Sequence, residues 1–126
     1  MKVEIKSYHS PDIYDLENYK PEQEDCFGFL LRIFIGPVGG KGEESLDFVV
    51  RTPRYLIDAH MKKKGDEADD VIFGRGYIIV FEYNFEKILD RIKKLIDSVE
   101  EDNWDVIGQK LSRYGYWEFE DYREDA

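Results

Sequence analysis

CFGFLLRIFIGPVGGKGEESLDFVVRT, residues 26–52, is the stretch of this sequence that says most about its fold. Aromatic and branched residues dominate residues 26–36, and apolar and polar residues alternate along residues 45–52, as they do in β-strands. The segment between, GPVGGKGEE, carries four glycines and a proline and is typical of a turn. The pattern predicts a hairpin of two long antiparallel strands.

Two further segments predict additional strands. Residues 3–7 alternate in the manner of a half-buried strand. Residues 71–83, VIFGRGYIIVFEY, predict a long strand that Gly74 and Gly76 interrupt. Because glycine weakens a strand interior, we expect a bulge or a close backbone contact at these two positions.

Capping residues mark the starts of three helices. Thr52, followed by Pro53, is expected to begin a short helix. Asn84 begins the clearest helix, and Asn103 begins another whose end fits Gly115. The middle helix carries an apolar stripe made of Phe85, Ile88, Leu89, Ile92, Leu95, Ile96 and Val99.

The order of these elements predicts an α+β fold. Strands come early, a glycine turn joins two of them, and the helices cluster late, which favours a sheet with helices on one side. We therefore expect one domain, residues 1–126, with a mainly antiparallel sheet of about four to five strands and two to three helices packed on one face.

Acidic residues are concentrated at the two ends of the sequence. The net charge is −10, and residues 1–30 hold seven acids and three bases. Residues 97–126 hold ten acids and three bases, whereas the middle is close to neutral. This distribution disfavours nucleic acid and anionic membranes as partners and favours a basic protein, unless the acids serve only solubility.

The sequence contains no recognisable catalytic or metal-binding motif. Nothing near His9 or His60 completes a metal site, and Cys26 is expected to be a small core residue rather than a nucleophile. The glycine-rich turn lacks the serine or threonine that follows lysine in a phosphate-binding loop. We therefore expect a protein without enzymatic activity and without a cofactor.

Composition also bears on the cell compartment. The sequence has one cysteine, so it forms no internal disulfide. No apolar run reaches the roughly 18–20 residues that cross a bilayer, and no apolar core follows the first lysine as in a signal peptide. These features predict a cytoplasmic protein.

GYWEFEDY, residues 115–122, is called here the terminal segment, and it combines aromatic and acidic residues where chain ends usually fray. In an extended conformation Trp117 and Phe119 share one face. The other face carries Tyr116, Glu118, Glu120 and Tyr122. Burial of the two inward aromatics would hold the segment down and display its acids rigidly, or would merely close the core.

Four stretches together resemble a known family. They are HSPDI, LENY, EDCFGFLLRIFIGP and the final NW with KLSRYGYWEFEDY. With the order of elements, they resemble the immunity protein 8 family of bacterial polymorphic-toxin and contact-dependent inhibition systems, over about residues 1–122. The resemblance implies a small cytoplasmic α+β protein that binds and neutralises a cognate toxin domain, with no catalysis and no cofactor.

Two acidic segments are the predicted binding residues for the toxin's C-terminal domain, since an acidic surface is drawn to the basic active site of a nuclease. The first is the outward side of the terminal segment, namely Tyr116, Glu118, Glu120, Asp121 and Tyr122. The second lies in the early loop, residues 9–25, and comprises Asp12, Tyr14, Asp15, Glu17 and Tyr19. Reversal of Glu118 and Glu120 to lysine is expected to weaken binding at least tenfold without unfolding the protein.

Two other functions are compatible with the same residues. One is an acidic adaptor or regulatory binding module with a different basic partner. The other is a small enzyme whose carboxylates perform chemistry. Substrate turnover separates the enzyme from the binding proteins, and the neighbouring genes separate an immunity protein from an adaptor. The oligomeric state is not predicted.

Overall fold

A computed structural model describes residues 1–63 and 71–120 of the chain. Within them, five strands form one sheet and three α-helices accompany it, which confirms the predicted α+β class. The strands are β1 (Val3–His9), β2 (Gly28–Pro37), β3 (Glu44–Arg51), β4 (Tyr77–Ile79) and β5 (Tyr116–Trp117). The helices are α1 (Pro53–Lys62), α2 (Phe85–Asp97) and α3 (Trp104–Leu111).

The predicted hairpin is present as β2 and β3 at the centre of the sheet. The two strands are antiparallel, and Ile35 stands opposite Glu44 next to the turn. Alternate residues of both strands are buried in the core: Phe29, Leu31, Ile33, Ile35, Leu46, Phe48 and Val50. The turn itself uses Gly39 and Gly42 at φ values of 74° and 94°, a region that other residues rarely adopt.

The free edge of β3 is shared by two short strands. β5 pairs antiparallel with Leu46 and Asp47, and β4 pairs in parallel with residues 49–51. The predicted strand over residues 71–83 is therefore wrong in length, since only Tyr77–Ile79 is a strand. A longer β4 has no room along β3, because β5 occupies the first half of that edge.

The expected close backbone contact occurs at Gly76. This residue has a φ of 84° and immediately precedes β4. A Cβ atom there would overlap the ring of Tyr116, so only glycine allows β5 to lie beside this turn. At Gly74, by contrast, a Cβ would meet no atom within 4 Å.

α2 and α3 cover one face of the sheet and complete the core. Their buried residues are Ile88, Ile92, Ile96, Ile107 and Leu111. Both predicted caps are confirmed: Asn84 Oδ1 accepts a hydrogen bond from the Lys87 N–H at 3.1 Å, and Asn103 Oδ1 accepts one from the Asp105 N–H at 2.8 Å.

α1 lies away from this core. Thr52 caps it as predicted, since its hydroxyl oxygen accepts the Tyr55 N–H at 3.2 Å, but no residue of α1 is buried. The Arg51 guanidinium lies 5.1 Å from the centre of the Tyr55 ring. The Tyr55 ring also lies against the outward side of Gly28. Of the three helices, α2 and α3 therefore pack on the core face of the sheet, and α1 does not.

Gly115 is not the helix-ending residue that the sequence predicted, because α3 ends at Leu111 and is capped at Ser112; packing explains the glycine instead. Its N–H bonds to the carbonyl oxygen of Leu111 at 3.1 Å. A Cβ atom at this position would lie 3.0 Å from the carbonyl oxygen of Asp47 and 3.0 Å from the Phe48 ring. The absence of a side chain thus lets the terminal segment approach β3 closely.

Candidate functional site

The sheet face opposite α2 and α3 joins the two predicted binding segments. Four residues on β1, β2, β3 and β5 stand opposite one another in one row: His9, Arg32, Asp47 and Tyr116. Their neighbours Ile33, Leu46 and Trp117 point into the core, so the row lies on the outer face. At about 4.8 Å per strand, the row spans roughly 14 Å from the early loop to the terminal segment.

The middle of this row is neutralised internally. Arg32 Nε and Nη2 each donate to Asp47 at 2.8 Å. The hydrogen bond and charge of Asp47 raise the pKa of Arg32, and the nearby Glu118 raises it further. Beside them the His9 ring stacks on Phe34 at 5.6 Å. Any excess of negative charge on this face therefore comes from its two ends.

The terminal segment is anchored by its inward aromatics, as predicted. Trp117 is buried, and Phe119 packs against it with ring centres 5.9 Å apart. Within residues 115–120, the described part of this segment, only Tyr116–Trp117 is extended, because the chain turns over residues 118–120. The predicted alternation of faces therefore does not continue as far as Glu120.

Arg75 holds the outward side of the terminal segment. Its guanidinium lies 4.2 Å from the Tyr116 ring centre and donates to both oxygens of Glu120, at 2.6 and 3.0 Å. It also donates to the carbonyl oxygens of Ser112 at 2.8 Å and Gly115 at 3.3 Å. Tyr116 and Glu120 thus both contact Arg75, a residue that lies far from them in sequence.

Glu118 is exposed, whereas Glu120 is half-buried. Glu118 Oε1 accepts the backbone N–H of Ser45 at 2.6 Å, and the Glu118 N–H donates to the Ser45 carbonyl oxygen at 3.1 Å. These two bonds fix the carboxylate at the sheet edge. The predicted residues Asp121 and Tyr122 lie outside the described part of the chain.

The early loop is fastened to the rest of the protein by several contacts. Leu16 is buried, and Tyr19 packs edge-on against Phe29 with ring centres 5.9 Å apart. Desolvation raises the pKa of Tyr19 accordingly. Asp12 Oδ2 accepts the backbone N–H of Leu30 at 2.7 Å. Asp12 and Tyr19, both predicted to bind a partner, therefore also hold the loop in place.

The centre of the early loop is accessible. Tyr14 is fully exposed, and Asp15 and Glu17 are exposed beside it. Asp15 Oδ2 accepts the Asn18 side-chain amide at 2.8 Å, which orients its carboxylate. Tyr14, Asp15 and Glu17 therefore form the solvent-exposed centre of this loop.

Glu44 accepts hydrogen bonds from both tryptophans of the chain, a contact that the sequence interpretation missed. Its Oε2 accepts the indole N–H of Trp104 at 2.8 Å and that of Trp117 at 2.7 Å. The carboxylate thereby links β3, α3 and β5. The available signal was the alternation of β3, which puts Glu44 on the same inward side as Leu46 and Phe48.

Comparison with protein-family models decides the family. The model described as Immunity protein 8 matches residues 3–122, which include both predicted binding segments and Glu44. The chain belongs to the Immunity protein 8 family. Comparison with curated proteins and comparison with solved structures each found no match.

Membership in the Immunity protein 8 family confirms the resemblance read from the sequence. The family is one of immunity proteins, so membership supports a toxin-neutralising role and implies a cognate toxin protein as partner. It also suggests an inhibitor rather than an enzyme.

The described residues of this Immunity protein 8 family member hold neither a candidate metal site nor a membrane-spanning helix. Within residues 1–63 and 71–120, no three His, Cys, Asp or Glu side chains gather closely enough to hold a metal ion. No helix in that same part of the chain has the length and apolar character needed to cross a membrane.

Cys26 is not the core residue that the sequence predicted. It is half-buried ahead of β2, because the strand begins only at Gly28, and its thiol donates to Asp58 Oδ2 at 3.5 Å. Partial desolvation raises the pKa of the Cys26 thiol, and the Asp58 carboxylate raises it further. Since the thiolate is the reactive form, this position disfavours nucleophilic chemistry.

Alkylation of Cys26 by iodoacetamide is expected to be slower in the folded protein than in the urea-unfolded chain at about pH 8. The rate should reach half its maximum at a higher pH in the folded protein, because the pKa of the thiol is raised. Asp58→Asn should shift that midpoint downward. Equal midpoints in the folded and unfolded protein would contradict this assignment.

Proposed function

We propose that this protein binds a cognate secreted toxin domain in the cytoplasm and neutralises it by tight protein–protein association. The match to the Immunity protein 8 model over residues 3–122 carries the proposal. The net charge of −10 favours a toxin with a basic surface, such as a nuclease that binds phosphate groups. Polymorphic-toxin and contact-dependent inhibition systems are the setting in which such a pair operates.

The outer sheet face supports an interface that combines both predicted segments. Tyr116 and Glu118 stand at one end of this face, and the early loop leaves the sheet at His9 at the other end, roughly 14 Å away. Half-buried apolar side chains lie between them on β2, β3 and β4: Leu30, Phe34, Val49 and Tyr77. These apolar side chains flank the internally paired Arg32 and Asp47, so the middle of the face carries no net charge. Protein interfaces usually have a centre depleted of net charge and a polar rim, and a partner patch of roughly 800 Å² reaches across this distance.

The contact residues proposed for this interface are the predicted ones. Tyr14, Asp15 and Glu17 offer exposed groups at one end, and Tyr116 and Glu118 at the other. Asp12, Tyr19 and Glu120 also belong to the proposed surface, although each has a contact within the chain. Asp121 and Tyr122 complete the set.

Co-expression with the toxin domain encoded by the neighbouring gene tests the function directly. Cells that make the toxin should survive only when this protein is present, and the tagged protein should retain the toxin domain in a pull-down. A second reading, an acidic adaptor with another basic partner, predicts capture of other cytoplasmic proteins and no rescue. Substrate turnover by the purified protein would instead support an enzyme.

Removal of three charges from the proposed surface is expected to weaken toxin binding at least tenfold, mainly through slower association. The substitutions are Asp15→Asn, Glu17→Gln and Glu118→Gln, which keep shape and hydrogen-bond acceptors. Stopped-flow association rates should also lose part of their salt dependence. Glu120 is left unchanged, since removal of its charge would break its ion pair with Arg75.

The matched control removes three charges from the opposite side of the protein. Glu86→Gln, Asp90→Asn and Asp97→Asn lie on the exposed surface of α2. This variant should bind the toxin within about threefold of the native protein. If both triple variants bind equally weakly, total charge rather than the outer sheet face controls association.

A further inference from the structure

A cleft opens where the β2–β3 hairpin meets β5 and the start of α3. Its volume is about 460 Å³. Its apolar lining consists of Met1, Ile35, Pro37, Trp104 and Phe119. Three carboxylates also line it, Glu43, Glu44 and Glu118, against the single lysine Lys41 and the amino terminus. The cleft is therefore apolar with an excess of acidic groups.

Two of these carboxylates are fixed in place through one oxygen, and the second oxygen of each can accept a hydrogen bond from a ligand. Glu44 uses Oε2 for both indole N–H groups, and Glu118 uses Oε1 for the Ser45 N–H. Within residues 1–63 and 71–120, no donor reaches Glu44 Oε1 or Glu118 Oε2. Rigid acceptors lose little conformational entropy when a donor binds them.

We propose that this cleft receives an arginine side chain of the partner protein, an inference that rests on the proposed function. The guanidinium group presents five N–H donors in a planar fork, which suits carboxylates approached from two directions. Its aliphatic stem packs along Met1 and Pro37, and its plane stacks on the indole of Trp104.

Lysine fits the same cleft less well. Its ammonium group is a compact, strongly hydrated charge, so an apolar lining removes water that it retains strongly. Arginine is also enriched among the residues that dominate interface energies. Because Glu118 lines the cleft and also borders the outer sheet face, a single partner surface can contact the cleft and this face together.

NMR titration of the intact protein with N-acetyl-arginine amide tests the proposal. The indole N–H signals of Trp104 and Trp117 are direct reporters, since both groups bond to Glu44. Both signals should shift in a saturable manner with a dissociation constant of about 1–10 mM. The citrulline analogue, which keeps the shape without the charge, and the lysine analogue should each bind at least tenfold more weakly.

A pair of variants connects the probe to the cleft. Glu118→Gln should weaken arginine binding several-fold, whereas Glu86→Gln on α2 should leave it unchanged. Absence of a shift up to about 50 mM probe, or equal binding of citrulline, would overturn the proposal. Equal binding of lysine would overturn the choice of arginine. Shifts of the indole signals on dilution of the protein alone would show that a second copy of the chain occupies the cleft.

The titration is independent of the toxin. If the probe fails to bind but co-expression rescues cells, the proposed function stands and the cleft assignment falls. If the probe binds but no rescue occurs, the cleft is a site for an arginine of another protein and toxin neutralisation falls. The two proposals therefore fail separately.

Discussion

Replacement of Trp117 by alanine is expected to lower the free energy of unfolding by about 4 kcal/mol. The side chain is 6% exposed, and its ring lies against Gly108 so closely that a Cβ there would overlap it. Removal of the ring leaves a cavity between β3, α3 and the terminal segment, and Glu44 loses one of its two indole donors. Packing and hydrogen bonding therefore act in the same direction.

Thermal unfolding followed by circular dichroism measures this effect. The midpoint should fall by about 15 °C, at roughly 4 °C per kcal/mol for a chain of this size. Trp117→Phe keeps one six-membered aromatic ring but removes the pyrrole part of the indole together with its N–H, so it should lose about 2 kcal/mol. Tyr114→Ala is the matched control, because this nearby aromatic is 50% exposed and should contribute less than about 1 kcal/mol.

The outcome also bears on function. If Trp117→Ala were as mild as Tyr114→Ala, the terminal segment would not be anchored by its aromatics. Glu118 would then lack the fixed position that favours rapid and tight association with a basic toxin surface. A large loss supports the view that the aromatics of this segment serve to hold its acids in place.

Local patterns in the sequence predicted most of the fold. The β2–β3 hairpin follows from alternation on either side of a glycine turn, and the three helix starts follow from Thr52, Asn84 and Asn103. Each of these features depends on residues within a few positions of one another. Near neighbours therefore suffice to define them.

The edge of β3 could not be predicted from local patterns. Residues 71–83 have the composition of a long strand, but their pairing depends on whether β5 takes part of the same edge. That competition joins segments that are distant in sequence. Gly74 and Gly76 gave a local signal of a bulge or a close contact; the contact occurs only at Gly76, and its partner Tyr116 was not predicted.

The candidate site, like the fold, was predicted only where local sequence patterns determine it. Alternation placed Trp117 inward and Tyr116 outward, and the positions of Tyr14, Asp15 and Glu17 in a polar loop indicated their exposure. The bonds from Arg75 to Glu120 and from Ser45 to Glu118 arise only when remote segments pack together. Hence the sequence located the acids, but not the partners that orient them.

Replacement of Glu44 by leucine is expected to lower the free energy of unfolding by about 3 kcal/mol, the second-largest effect predicted for this protein. Leucine suits the inward side of β3 but accepts no hydrogen bond. The indole N–H groups of Trp104 and Trp117 then lose their acceptor, and Trp117 is buried too deeply to find water easily. Urea denaturation followed by tryptophan fluorescence measures the loss.

Two further variants show whether the indole bonds are responsible. Glu44→Gln keeps one acceptor oxygen in the same place, so it should lose only about 1 kcal/mol. Glu43→Leu changes the neighbouring exposed glutamate, which has no indole partner, and should stay within about 0.5 kcal/mol of the native protein. If Glu44→Leu were as mild as Glu43→Leu, apolar contacts alone would hold α3 and β5 on β3, and solvent would satisfy the indoles. A graded loss from Gln to Leu instead identifies Glu44 as the residue that joins these three elements, because glutamine keeps an acceptor oxygen for the indoles and leucine has none.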